Sequence, residues 1–237
     1  MLHTTRALVL RAIPHRDRMV VLKAYTEEFG LRSYLVRGNA QRGLPQALLQ
    51  PLNRIELVVD ERAERDLHHV REMRLYRPYL HIHGDAVRGA VLLFLQEVLY
   101  RTLREEASDP ALYAFLDSAL GRLDETADVR HFPLVFLLRY ATMLGFAPEA
   151  PEAAAPYFDL QEGRFVHELP LHAHAIGPPL TAVLAALLPL DLETTADVTV
   201  PWAQRRELLD LLLRYLRLHV PGAPELRSPE VLHQLLT

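Results

Sequence analysis

The chain has 237 residues and no cysteine, so disulfides, thiol nucleophiles and cysteine-based zinc sites are excluded. Half of the residues are hydrophobic and 24% are charged, which is the balance of a globular protein with a buried core. The formal net charge of −4 is unevenly distributed, because residues 1–80 hold 14 Arg or Lys against 9 Asp or Glu and the remainder is acidic. No apolar run approaches the roughly 20 residues that cross a bilayer, so we expect a cytoplasmic protein without a membrane span.

The region from Thr5 to Tyr76 alternates between apolar and polar residues, which is typical of β-strands. The alternation divides into five short runs, at residues 7–10, 19–26, 31–36, 55–59 and 69–76. Five short strands joined by turns favour a small closed barrel. We therefore predict a barrel domain over residues 1–80.

Beyond Pro78 the apolar residues recur with the period of a helix, so we predict a helical domain over residues 81–237. Helices are predicted at residues 87–99, 110–123, 132–144, 181–188 and 202–218, with a last one from Ser228 toward Leu236. Asp109 and Pro110 suit the N-cap and first turn of the second helix. We expect the first three helices to pack as a bundle. Residues 147–179 are rich in proline, which predicts an irregular insertion.

Catalytic motifs are absent from the sequence. The glycines at 38 and 43 lack the Lys-Ser/Thr of a phosphate-binding loop, and no Gly-x-Ser-x-Gly occurs. Histidines cluster as His68 with His69, His81 with His83, and His167 with His172 and His174, but none of these groups has the His-Glu-x-x-His pattern of a zinc helix. We predict no catalytic residue, no cofactor and no metal, and a histidine-dependent metalloenzyme remains the alternative.

Arginines of the predicted barrel are concentrated at its turns. Arg11, Arg16 and Arg18 surround the first turn, and Arg37 and Arg42 flank the glycine-containing loop after the third strand. Basic loops on a small barrel favour single-stranded nucleic acid, which presents phosphates and stackable bases. Tyr25 and Tyr34 could stack on bases, although a strand tyrosine is more often part of the core.

Several segments together resemble one known family. Thr5-Arg6-Ala7-Leu8-Val9-Leu10, Thr26-Glu27-Glu28-Phe29-Gly30 and Val36-Arg37-Gly38 follow the opening of the RecO family. Further matches are Ala47-Leu48-Leu49-Gln50-Pro51, Arg130-His131-Phe132, Leu144-Gly145-Phe146 and Leu226-Arg227-Ser228. Each motif is short, but their order and spacing extend over essentially the whole chain.

The resemblance implies an α+β protein of two domains, an N-terminal OB-fold β-barrel and an all-α helical domain with an irregular insertion. It implies a non-enzymatic mediator of DNA repair and homologous recombination in the RecF pathway. Such a protein binds single- and double-stranded DNA, interacts with RecR and with the single-strand-binding protein SSB, helps to load RecA and anneals complementary strands. An OB-fold scaffold that binds protein rather than DNA is the main alternative.

The resemblance also assigns candidate contact residues. The DNA-binding candidates are Arg11, Arg16, Arg18, Arg32, Tyr34, Arg37, Gly38 and Arg42. Arg130 and Arg139 are candidates for pairing with the acidic tail of SSB, and a plain surface salt bridge is the alternative for Arg130. Many family members carry a four-cysteine zinc site where this chain has residues 146–172 without cysteine. Tyr157–Leu160 and Gly163–Phe165 keep the hairpin pattern, so we expect this segment to fold by packing alone.

Overall fold

The computed structural model describes residues 2–16, 18–38, 46–61, 66–104, 107–151, 155–195 and 198–223. Arg42 and the predicted last helix from Ser228 lie outside the described residues. The chain forms two compact units, of which the barrel unit comprises residues 1–84 and 98–121. The helical unit comprises residues 85–97 and 122–237. A domain boundary at residue 80 stays a prediction.

Five strands form the closed barrel of the first unit. They are β1 Leu2–Arg16, β2 Met19–Thr26, β3 Gly30–Arg37, β4 Arg54–Asp60 and β5 Leu67–Leu75. Around the barrel the order is β1-β2-β3-β5-β4, with β3 and β5 parallel and the other neighbours antiparallel. A five-stranded Greek-key barrel of this order is the OB-fold, as predicted.

Strand alternation decides which side chains fill the barrel. Val20, Leu22 and Ala24 of β2 are buried inside it, and so is Tyr34 of β3, which pairs with Leu22. Residues that alternate with these point to the other face of each strand. Burial of each large apolar side chain stabilises the barrel by about 2 kcal/mol.

Helix α1 (Ala86–Thr102) begins after Asp85, whose Oδ1 accepts hydrogen bonds from the backbone N–H groups of Val87 and Arg88. Its residues 98–102 belong to the barrel unit. Helix α2 (Pro110–Glu125) begins at the predicted cap, since the Leu112 N–H donates to Asp109 Oδ1 at 2.9 Å.

The expected bundle of the first three helices stays a prediction, because α1 and α2 are each divided between the two units. In the barrel unit α2 packs on β2, where the ring of Tyr113 stacks on that of Tyr25 with 6.3 Å between centroids. In the helical unit α3 (Phe132–Met143) packs against α5 (Trp202–His219). The helical period identifies which face of a helix is apolar, but it does not identify the surface that covers this face.

The remaining elements of the helical unit include α4 (Leu180–Leu187) and a small antiparallel sheet. Strands β6 (Tyr157–Asp159) and β7 (Arg164–Val166) form the expected hairpin. A third strand, β8 (Ala175–Ile176), pairs with the other edge of β6 and was not predicted. Among the described residues, no helix is both long and apolar enough to span a membrane.

Candidate nucleic-acid interface

The outer face of β1, β2 and β3 is the surface that faces away from the barrel core. Because Val20 and Leu22 point inward, the residues that alternate with them point outward. Cross-strand pairing extends these residues into three rows, which are Arg16–Met19–Arg37, Ile13–Val21–Leu35 and Arg11–Lys23–Ser33. Strands 2 and 3 and the loop between strands 1 and 2 are where OB-folds bind oligonucleotides.

The first row ends in a group of cations that we call the basic turn, formed by Arg16, Arg18, Arg37 and Gly38. The Gly38 N–H donates a hydrogen bond of 2.7 Å to the carbonyl of Arg18, which joins the β1–β2 turn to the end of β3. All three arginines are exposed. Among the described residues, no acidic side chain lies within ion-pair distance of them. The basic turn therefore offers three guanidinium groups to an anion.

Arg18 has an unusual backbone conformation for its residue type. Its φ of 57° lies in the left-handed region, which costs a residue with a side chain about 1–2 kcal/mol. The conformation allows the chain to reverse between Arg16 and Met19, which face each other across the turn.

The middle row of the outer face is apolar. Ile13 is 41% exposed, and Val21 and Leu35 are partly exposed. Apolar side chains between two groups of cations suit a single strand, whose bases present apolar faces beside charged phosphates. Sequence reasoning missed this row, although the alternation with Val20 and Leu22 could have identified it.

The third row is basic again. Arg11 pairs in register with Lys23, the single lysine of the chain. The Arg11 guanidinium lies 5.3 Å from the ring centroid of Tyr100, and its Nη1 donates to the Tyr100 hydroxyl at 3.3 Å. Tyr100 belongs to the last turn of α1, within the barrel unit. The outer face is thus basic on both sides of its apolar row.

Two predicted DNA-contact residues do not lie on the outer face. Tyr34 has no exposed surface, and burial together with the charge of Glu61 raises the pKa of its hydroxyl. A ring inside the barrel has no face for a base, so Tyr34 is a core residue. Arg32 lies on the inward side of β3, beside Ala24, and its Nε is 3.4 Å from Glu61. Its charge is compensated within the fold.

Other arginines of the barrel unit are also paired with carboxylates. Arg74 Nη2 lies 2.5 Å from Glu56 Oε1, and Arg6 Nη1 lies 4.0 Å from Glu27 Oε2. These pairs lie on β1, β4 and β5 and on the β2–β3 turn, away from the basic turn. Among the described residues, the three arginines of the basic turn differ from these in having no acidic partner.

In the helical unit the two candidates for tail binding have internal partners. The exposed Arg130 forms a two-pronged ion pair with Asp128, in which Nη2 and Oδ2 are 2.6 Å apart. This pair lowers the pKa of Asp128 to about 2. Arg139 donates from Nε to the Leu190 carbonyl at 2.7 Å and from Nη2 to the Leu188 carbonyl at 2.5 Å. Arg139 therefore fixes the chain after α4.

The histidine groups do not assemble a metal centre in the part of the chain that the structure describes, where no cluster of three or more His, Asp or Glu ligands occurs. His68 is buried and lies 3.3 Å from Glu61. His172 lies 3.2 Å from Asp159, and its Nδ1 accepts a hydrogen bond from the His174 N–H. Each of these histidines has a partner in the packing of its own unit.

Two family models match this chain, one in its N-terminal part and one in the remainder. The family model "Recombination protein O N terminal" matches residues 1–79, and "Recombination protein O C terminal" matches residues 83–229. Curated relatives named DNA repair protein RecO include those of Porphyromonas gingivalis, with 31% identity over 99% of both chains, and Phocaeicola vulgatus, with 32% identity over 100% of both. That of Bacteroides fragilis is 33% identical over 99% of both chains.

A closed five-stranded barrel of this strand order defines the OB-fold class of protein. Both matching domains show that the chain belongs to the RecO family of DNA repair proteins.

Proposed function

We propose that this protein acts in recombinational repair by binding DNA through the outer face of its barrel, without catalysing a reaction. The observation that carries the proposal is the basic turn, in which three exposed arginines have no acidic partner among the described residues. Phosphates would bind there and release counterions, while bases would contact the apolar row.

Binding without a catalysed reaction would also account for strand annealing and for the loading of RecA. A surface that holds single strands, and also duplex through its phosphates, would help to bring complementary strands together for annealing. The helical unit would recruit RecR and SSB so that RecA is loaded on the strand, in the cytoplasm at the nucleoid. The support for these partners is membership of the RecO family.

Arg130 remains the proposed contact for the acidic tail of SSB. Its guanidinium is exposed and already binds one carboxylate in two-pronged geometry, so a tail carboxylate could replace that of Asp128. Arg139 is not part of this proposal, because its donors are committed to main-chain carbonyls.

Fluorescence anisotropy of a labelled single-stranded oligonucleotide tests the DNA-binding proposal. Wild type is compared at several salt concentrations with the double variant Arg16→Ala/Arg37→Ala. The matched control is Arg6→Ala/Arg74→Ala, which removes the same charge from arginines that are paired with Glu27 and Glu56. Circular dichroism checks that each variant is folded.

We expect steep inverse salt dependence for wild type and for the control. The basic-turn variant should bind more weakly, with a log–log salt slope shallower by about 1.4, because each phosphate contact on a single strand contributes about 0.7. Absence of binding by wild type at low salt would contradict the proposal and favour the protein-scaffold function. Equal losses in both variants would show that only total charge matters.

A further inference from the structure

The contact between Arg11 and Tyr100 extends the outer face from the barrel strands to helix α1. Arg11 lies in the basic row with Lys23, and its guanidinium is directed to the ring and hydroxyl of Tyr100 on the last turn of α1. Both residues belong to the barrel unit. An aromatic ring next to two cations therefore borders the outer face at the side opposite the basic turn.

The surroundings of Tyr100 differ from those of another surface ring held by arginines. Tyr76 has Arg6 at 4.3 Å and Arg77 at 5.0 Å from its centroid. Both of those arginines also pair with carboxylates, Arg6 with Glu27 and Arg77 with Asp117. Among the described residues no carboxylate pairs with Arg11, so a phosphate could approach beside Tyr100 without displacing an acid.

The spacing of the cations also suits one continuous strand. Arg11 and Arg16 are five residues apart on β1, with Ile13 between them. At about 3.3 Å per residue this separation is roughly 16 Å, which leaves room for a few nucleotides between the two groups of cations. A strand bound at the basic turn and lying across the apolar row would reach Tyr100.

We propose that the last turn of α1 is part of the nucleic-acid interface, with Tyr100 as a stacking platform for one base and Arg11 and Lys23 as neighbouring phosphate contacts. The proposal rests on the proposed function, since it needs a single strand on the outer face. Partial exposure of the Tyr100 ring leaves surface for a base. Base–aromatic stacking combined with cations is the general means by which single strands bind without sequence preference.

Two substitutions distinguish the contribution of the Tyr100 ring to DNA binding from that of its hydroxyl. Tyr100→Leu keeps an apolar side chain on the helix but removes the aromatic ring, and Tyr100→Phe keeps the ring but removes the acceptor of Arg11. We expect the Leu variant to raise the Kd for a thymidine oligonucleotide roughly fivefold or more, as expected for the loss of one stacked base. The Phe variant should stay within about twofold of wild type. Tyr76→Leu serves as the control and should bind like wild type.

Photocrosslinking tests the same contact without a substitution. Wild-type protein is irradiated with an oligonucleotide that carries 5-iododeoxyuridine, and the adducts are mapped by mass spectrometry. We expect an adduct on the peptide that contains Tyr100 and none on the peptide that contains Tyr76. A folded Tyr100→Leu variant with unchanged Kd, or no adduct at Tyr100, would overturn the inference.

The same data distinguish this inference from the proposed function. If wild type binds and the basic-turn variant does not, but Tyr100→Leu is unaffected, the interface ends at the barrel and only the inference fails. If wild type does not bind the oligonucleotide, both fail together.

Discussion

The backbone N–H of Gly38 donates to the carbonyl of Arg18, and this hydrogen bond holds the two ends of the basic turn together. Arg18 keeps a left-handed φ of 57° at this point, where glycine would be free of strain. Arg18 is exposed beside Arg16 and Arg37, so its strain and its proposed DNA contact can be tested separately.

Arg18→Gly should therefore separate stability from binding. We expect an unchanged or higher Tm, because the left-handed strain is relieved, and weaker DNA binding with a salt slope shallower by about 0.7. Arg18→Asn tolerates the same φ and removes the same charge, so it should show the same loss of binding. Thermal denaturation and anisotropy measure the two effects, and normal DNA binding by both variants would refute a role for Arg18.

Arg139 should matter for stability and not for DNA binding. Arg139→Met keeps the alkyl stem but leaves the carbonyls of Leu188 and Leu190 without their charged donor, which we expect to cost about 1.5 kcal/mol or more in free energy of unfolding. Urea denaturation measures this loss. Arg214→Met removes an exposed arginine from α5 and should change stability by less than about 0.5 kcal/mol.

Glycine is required at position 163 for two reasons, the backbone conformation there and the close approach of Tyr215. The φ of Gly163 is 72°, and a Cβ there would lie 2.8 Å from the Tyr215 hydroxyl, which donates to the Phe146 carbonyl. We expect Gly163→Ala to lower the free energy of unfolding by about 2 kcal/mol or more. Gly145 has a φ of 87° with open space at the Cβ position, so Gly145→Ala measures the backbone strain alone and should cost less.

His131 should make the helical unit sensitive to acid. It is buried, and its Nε2 accepts a hydrogen bond from the Val200 N–H at 3.2 Å. Burial, aided by the charge of Arg205 and opposed by that of Asp128, lowers its pKa. The unfolded chain therefore takes up this proton first, at about pH 6.5, and stability falls as the pH drops below that value.

His131→Gln keeps an acceptor for Val200 but has no proton to bind in this range. We expect the variant to have a lower urea midpoint than wild type at pH 7.5. The difference between the two midpoints should become smaller as the pH is lowered to 5, because only wild type loses stability through His131. Parallel curves for the two proteins over this range would show that His131 does not titrate on unfolding.

The sequence predicts the secondary structure well because the barrel and the helices have clear hydrophobic periods. It predicts the basic turn because Arg16, Arg18 and Arg37 lie at the ends of runs that the alternation identifies as strands. It does not decide the inside and outside of β3, since Leu31, Tyr34, Leu35 and Val36 place apolar residues on both sides, and Tyr34 is buried in the barrel while Leu35 is partly exposed.

Partners distant in the chain were also beyond sequence reasoning. Tyr100 contacts Arg11 across 89 positions, and Arg139 binds carbonyls about 50 positions later. Strand β8 was not predicted, because a strand of two residues is too short to show an alternating pattern. In each case the missing information is a tertiary contact, which local pattern does not contain.

The length of β1 has a consequence for how the outer face assembles. Arg16 pairs with Met19 three positions on, whereas Leu2 at the other end pairs with Asp60, near the end of β4. The β1–β2–β3 meander is therefore built from local contacts with a small loss of chain entropy, and barrel closure needs a far longer loop. During folding, the surface proposed to hold a single strand would form as a hairpin array before the barrel closes behind it.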